Sequence, residues 1–179
     1  MKQMSYMLVL IFATLITSCT SCKKNTEPLP DNPYGLPNAT QEGKNFFACR
    51  INGNNFIANY NIHHTVAELK NDNLLVVTGS DRTRNNYFHQ LLFSIGRLIT
   101  SNTTYLYDST NIKMSYYTDS TCQGISSNAI LLNAKSGKIQ LTRFDKTSKI
   151  VSGTFECVYP ILNCDTLKIT DGRFDFNYY

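Results

Sequence analysis

The sequence predicts an all-β domain, either an antiparallel β-sandwich or a partly closed barrel. Three observations carry that expectation. From about Asn45 to Tyr179, short runs rich in Phe, Tyr, Ile, Val and Thr recur between clusters of Asn, Asp, Gly and Ser, the composition of strands and turns. The spacing of an amphipathic helix fits almost nowhere in that stretch. Near its end Phe174, Phe176 and Tyr178 share one face by alternation and Arg173, Asp175 and Asn177 the other, the pattern of a half-buried strand.

The elements follow in order. "NFFACRI" leads through Asn52-Gly53-Asn54-Asn55 into "FIANY", and the Asn-Gly step accepts the positive φ angles of a tight hairpin. "TVAEL" and "NLLVVTGS" follow, joined by a turn at Asn71-Asp72-Asn73. "YFHQLLFSI" is short enough to be a helix, but its aromatic and apolar content favours a strand. "TTYLYD", "IKMSYYTD", "GKIQLTRFD", "KIVSGTFECVY", "DTLKIT" and "GRFDFNYY" complete the set. Gly153 leaves room for an aromatic ring, and Asp171-Gly172 supplies a turn or bulge before the last strand. Asp145 and Asp175 each stand near an arginine in sequence and are expected in cross-strand ion pairs.

Ahead of this domain the chain reads differently. Residues 7–16, "MLVLIFATLI", follow a single Lys2 and have the length of a signal-peptide core, about half what a spanning helix needs. Ile16-Thr17-Ser18-Cys19 resembles a bacterial lipobox, in which small residues admit the backbone to a peptidase and the thiol takes a diacylglycerol. Cys22 suits that role less well, because Cys19 would then stand where a branched apolar residue belongs. Residues 1–18 are therefore expected to be a lipoprotein signal peptide, with Cys19 as the lipidated residue holding the chain to a membrane. Residues 19–44 carry Pro28, Pro30, Pro33 and Pro37 and read as an extended linker. Residues 45–179 then form one domain, large enough for a real core.

Charge and compartment narrow the partners. Removing residues 1–18 takes one base and no acid, leaving 16 Lys and Arg against 13 Asp and Glu. Those bases are scattered rather than gathered in a stripe, so nucleic acid is not expected as a partner. The bacterial envelope, at the outer membrane, is the expected location. Four domain cysteines, Cys49, Cys122, Cys157 and Cys164, point to disulfides in an oxidising compartment, with three connectivities open. Cys157 and Cys164 flank "VYPILN", a plausible hairpin loop, which favours that pair and leaves Cys49 with Cys122. Parity strains the first pair, since Leu167 and Ile169 alternate out of phase with Cys164, so bridging needs a bulge or a loop position for Cys164. Buried free thiols are the alternative.

Three stretches, "NATQEGKNFFACRINGNNF" (38–56), "IVSGTFECVY" (150–159) and "LKITDGRFDF" (167–176), together resemble a domain-of-unknown-function family of small Bacteroidota lipoproteins. The family opens on a "TQEGKNTFGCxVNG"-like hairpin and closes on an "ISGTFEF…ITDGRFD"-like one. This chain departs from it at Phe47-Ala48-Cys49, where the family often has a glycine. The resemblance implies an exported β-domain and supplies no catalytic residues.

Chemistry is sparse in the sequence. His63 and His64 are neighbours, so in a strand they point to opposite faces, and with His89 they complete the histidines. No zinc-protease, nucleophile-elbow or phosphate-loop motif occurs. Neither a metal nor a cofactor is expected. Glu68, Glu156, Asp108 and Asp119 are carboxylates of the type a glycosidase uses, with nothing to pair them. Residues 103–121, "TTYLYDSTNIKMSYYTDST", have the Tyr, Ser, Thr and Asn content of recognition loops, which puts forward Tyr105, Tyr107, Tyr116 and Tyr117 for a protein or glycan ligand. A solvated hairpin with tyrosines packed at the sheet rim is the plainer reading. The expected function is a non-enzymatic envelope domain for binding or assembly; an envelope hydrolase acting on glycans, with dispersed catalytic groups, is the alternative.

Overall fold

The computed structural model describes Asn32 and residues 34–58, 65–82, 88–96, 98–121 and 124–179, with the side chains of 82, 120–121 and 124–129 left aside. Residues Tyr34–Tyr179 make one compact unit. Its strands are β1 (Phe46–Ile51), β2 (Asn54–Ile57), β3 (Val66–Lys70), β4 (Leu74–Arg82), β5 (Phe88–Ile95), β6 (Thr103–Leu106), β7 (Ile112–Thr121), β8 (Gly124–Asn133), β9 (Ser136–Asp145), β10 (Ile150–Tyr159) and β11 (Leu167–Asn177). They form a six-stranded sheet, β2-β1-β11-β10-β9-β6, and a five-stranded sheet, β3-β4-β5-β7-β8. Every strand pair is antiparallel. The sheets do not close on themselves, so of the two expected architectures the sandwich is the one adopted. No helix occurs among the described residues.

Local chemistry explains the hairpins. Asn52 (φ 46°) and Gly53 (φ 84°) take the two left-handed positions of the β1–β2 turn, and Asn71 and Asp72 do the same between β3 and β4, as tight hairpins require. The strand β8 (GISSNAILLN) was not among those expected. Its first half, Gly-Ile-Ser-Ser-Asn, has a single large apolar residue and no alternation, so only pairing with β7 marks it as a strand.

"DTLKIT" and "GRFDFNYY" form one strand rather than two. From Ile169 to Gly172, β11 advances three residues while β10 advances two, from Cys157 back to Phe155. The same extra residue appears against β1, where Ala48 and Arg50 face Arg173 and Thr170. Asp171, with φ 54°, sits in this bulge. A one-residue insertion reverses the phase of alternation. Leu167 and Ile169 face the core before it, and Phe174 and Phe176 face the core after it.

Between the sheets lies an aromatic core. Phe155 is packed 4.5 Å from Phe93 and 4.8 Å from Phe47, centroid to centroid. Phe47 crosses from β1 to lie over Gly79 of β4, where a Cβ would stand 2.3 Å from the ring, and Phe174 covers Gly153 in the same manner. The room expected at Gly153 is thus filled by an aromatic ring of the neighbouring strand.

Residues 34–44, expected to belong to the extended linker, are packed on the domain. Residues 34–44 run over the outer face of the six-stranded sheet. Tyr34 stacks under the Arg50 guanidinium at 3.7 Å, Leu36 is buried, and Arg173 donates to the Pro37 carbonyl. The strap is fastened at Asp175. One carboxylate oxygen accepts from Thr40 Oγ1 (2.6 Å), Glu42 N (3.0 Å) and Lys44 N (3.1 Å). The other accepts from Gly43 N (2.9 Å) and Ser152 Oγ (2.6 Å). Asp175 is thus not in the ion pair expected of it, because strap donors occupy both of its oxygens. Asp145 does pair with Arg143, at 2.7 Å along its own strand rather than across strands, and also caps the following turn through Thr147 N and Ser148 N.

Burial opposes ionisation of Asp175, but hydrogen bonds from Ser152, Thr40, Glu42 and Gly43 more than offset it and hold the carboxyl below its ordinary value. Stability from this shift is fully present above the unfolded value near pH 4 and is lost as pH falls through the lower folded value. Replacing Asp175 by Asn turns an amide N–H2 toward N–H donors and is expected to cost about 3 kcal/mol or more. Thr40→Ala is expected to cost about 1–2 kcal/mol. Urea unfolding at pH 7 and pH 3 checks both: the gap between wild type and Asp175→Asn should narrow at pH 3.

Candidate functional site

The tyrosines put forward from sequence do not share a surface. Strand β7 alternates, with Ile112, Met114, Tyr116 and Thr118 buried and Lys113, Ser115 and Tyr117 less so. Tyr116 therefore points into the core. Tyr105 is buried as well, its hydroxyl accepting from Thr100 N (2.8 Å) and donating to Leu98 O (3.1 Å). Tyr107 packs at the margin of the core. Only Tyr117 stands on an outer face, that of the five-stranded sheet, between Gln90 and Leu131.

The cysteines also depart from expectation. Cys49 and Cys157 are buried free thiols, so neither the Cys157–Cys164 nor the Cys49–Cys122 pair forms. Cys157 faces inward directly opposite Ile169, five positions beyond Cys164, which lies in the loop before β11 and out of reach of that inner face. Cys164 is disulfide-bonded, and its partner lies outside the described residues, as do Cys19, Cys22 and Cys122. Cys49 and Cys157 cannot join each other, because β11 runs between their strands. Two strand spacings of about 4.8 Å exceed the roughly 7 Å that a disulfide spans between Cα atoms.

Around these thiols is an interior polar group that the sequence did not signal. His89 Nδ1 and the Tyr116 hydroxyl are 2.5 Å apart, with their rings stacked at 5.9 Å. Tyr116 lies 5.8 Å from Tyr159, ring to ring. The Tyr159 hydroxyl is buried without a hydrogen bond of ordinary geometry, and the Cys157 thiol beside it perturbs its ionisation less than burial does. Burial pushes the Cys157 thiol up to about 12, against a smaller lowering from Tyr159. Burial likewise raises Cys49, with Cys157 adding to the effect, and raises Tyr116. All four groups are neutral at pH 7, the wrong state for a thiolate nucleophile or ligand. Among the described residues no three His, Cys, Asp or Glu are placed to hold a metal; His63 and His64 lie outside them.

The four carboxylates of glycosidase type are dispersed. Glu68 pairs with Lys70 at 2.9 Å and Glu156 with Lys138 at 3.1 Å. Asp119 accepts from Phe88 N. Asp108 caps its own loop, and the N–H groups of Ile112, Asn111 and Thr110, opposed by some desolvation, hold its carboxyl down to about 2.

The outer faces remain, and they differ. On the six-stranded sheet a groove of about 350 Å³ is lined by Leu106, Lys138, Glu156, Val158, Lys168 and Thr170. On the five-stranded sheet a depression of about 280 Å³ lies over Val66, Val76, Thr78, Gln90 and Leu92, with the Glu68–Lys70 pair at its margin. Register places Leu92 diagonal to Val76 and to Tyr117, and Tyr117 opposite Leu131. An apolar stripe thus crosses this sheet from Val76 through Leu92 and Tyr117 to Leu131.

Native protein is expected to leave Cys49 and Cys157 unmodified by iodoacetamide at pH 8, with both alkylated in guanidinium, read by peptide mass. His89 yields a second prediction. Burial lowers its pKa, against smaller raising effects from Asp119 and Asp81. The resulting stability is present above about pH 6.5 and is lost as pH falls through the folded value. His89→Gln should remove that part of the pH dependence below about pH 6.5, measured by thermal unfolding.

Searches with this chain against family models, curated proteins and solved structures found no match.

Proposed function

We propose that the chain is a lipid-anchored domain of the bacterial outer membrane, tethered through Cys19, that binds or assembles rather than catalyses. The observation that carries this reading is the strap. The residues behind the resemblance to small Bacteroidota lipoproteins meet at one point: Thr40, Gly43 and Lys44 of "TQEGK", Ser152 of "VSGTF" and Asp175 of "GRFDF" form a single hydrogen-bonded knot. That knot fastens the segment through which the tether enters the domain. Residues invested in holding the entry point to the sheet suit a module whose task is to be displayed at a surface.

The physical logic is consistent along the chain. A diacylated cysteine holds a protein durably at a bilayer, the proline-containing stretch between Cys19 and Tyr34 serves as spacer, and the strap fastens the residues that follow it to the sheet. A protein or glycan ligand would meet the outer faces, where the groove beside Lys168 and the stripe through Tyr117 lie.

Membrane fractionation tests the reading. Wild-type protein is expected in the detergent phase of a Triton X-114 partition and to incorporate labelled palmitate. Cys19→Ala should move to the aqueous phase and take up no label, whereas Cys22→Ala should behave as wild type. Unchanged partition of Cys19→Ala would refute the anchor.

A further inference from the structure

The sandwich has four edge strands, and three of them are blunted. Strands β2 and β6 have four residues each. Strand β3 carries Glu68 and Lys70, and its edge is covered by the last residue of the described chain: Leu69 N donates to Tyr179 O at 2.9 Å and Tyr179 N to Ala67 O at 3.4 Å. Short strands, charges and covering segments are the usual means of stopping sheets from pairing edge to edge. Among the described residues strand β8 has none of them. It is ten residues long, GISSNAILLN, with no charge and no proline, and no strand among the described residues pairs with its outer edge.

We propose that β8 is an assembly edge and that its occupant is β8 of a second copy. An antiparallel strand can pair with its own counterpart across a two-fold axis, which satisfies both free edges at once and closes the assembly at two. The strand brings no charge to oppose itself. Continuity of the apolar stripe supports the same occupant. Leu131 is 46% exposed and ends the stripe at this edge, so a second copy would carry the stripe across the junction and cover that side chain. Two five-stranded sheets would join into one. This inference specifies the assembly half of the proposed function and rests on it. It is tested without the lipid, so its failure leaves the anchor at Cys19 standing.

The measurement is sedimentation velocity on the mature chain bearing Cys19→Ser, alkylated so that no exposed thiol can cross-link, over a thousandfold range of concentration. A dimer that dissociates on dilution is expected. Leu131→Lys and Asn133→Lys each place a charge on the outer face beside its own copy and should weaken dimerisation roughly tenfold or more. Asn55→Lys, on the β2 edge of the six-stranded sheet, should not. Because Leu131 and Asn133 are exposed, monomer melting temperature should hold in both variants, and hydrogen exchange of β8 amides should slow as concentration rises. A monomer at several hundred micromolar, a dimer indifferent to both lysines, or β8 exchange independent of concentration would each overturn the proposal.

Discussion

The outer half of the six-stranded sheet is organised by one buried carboxylate that, among the described residues, has no salt-bridge partner. Asp175 is fully buried, and its charge is met by two hydroxyls and three backbone N–H groups. Hydrogen bonds to an ionised acceptor are roughly twice as strong as neutral ones, and a carboxylate deprived of them in a dry setting would be costly. The strap and the sheet are therefore conditional on each other. Residues 40–44 give up solvent to reach Asp175, and Asp175 tolerates its position only because they do.

That arrangement depends on the bulge at Thr170–Asp171. Without the extra residue, β11 would keep one phase along its length, and the face that carries Leu167 and Ile169 would carry Asp175 as well. A carboxylate would then point at the Phe47, Phe93 and Phe155 cluster. Asp171 accepts a left-handed φ, and on either side of it the strand serves a different pairing of faces. The core is thus continuous through a reversal of the pattern, and Asp175 reaches the strap.

Much of this was legible in the residues, for reasons that can be stated. Asn52-Gly53 and Asn71-Asp72 mark hairpins because tight turns demand positive φ, a local requirement. The phase conflict between Leu167 with Ile169 and Phe174 with Phe176 was visible too, although its meaning, a bulge within one strand, needed the partners β1 and β10. Strand β8 escaped notice because its strand character comes from pairing and not from composition. The fate of the tyrosines was hidden for a related reason: alternation says that Tyr116 and Tyr117 part company, and only the neighbouring sheet says which of them is inside. The ion pair expected of Asp175 does not form because its strap donors lie more than a hundred residues away in the chain, beyond what sequence proximity reports. Proximity in sequence to Arg173 counted for more than it should. Cysteine count and an oxidising compartment point to Cys157–Cys164 and Cys49–Cys122, but neither says which thiols the sheets enclose, and Cys49 and Cys157 are both buried free thiols.

The same geometry decides what Asp175 can do chemically. An acidic residue inside a sequence motif invites assignment as a general base, but a carboxylate has about four lone-pair directions, and five donors converge on this one. It has no room for a substrate proton. Its pKa is also displaced downward, away from the neutral range in which a base works well. A residue can be indispensable because it holds the strap in place or because it reacts, and those uses compete for the same oxygens. In Asp175 the strap has taken them all, so any chemistry or recognition by this domain has to come from elsewhere on its surface.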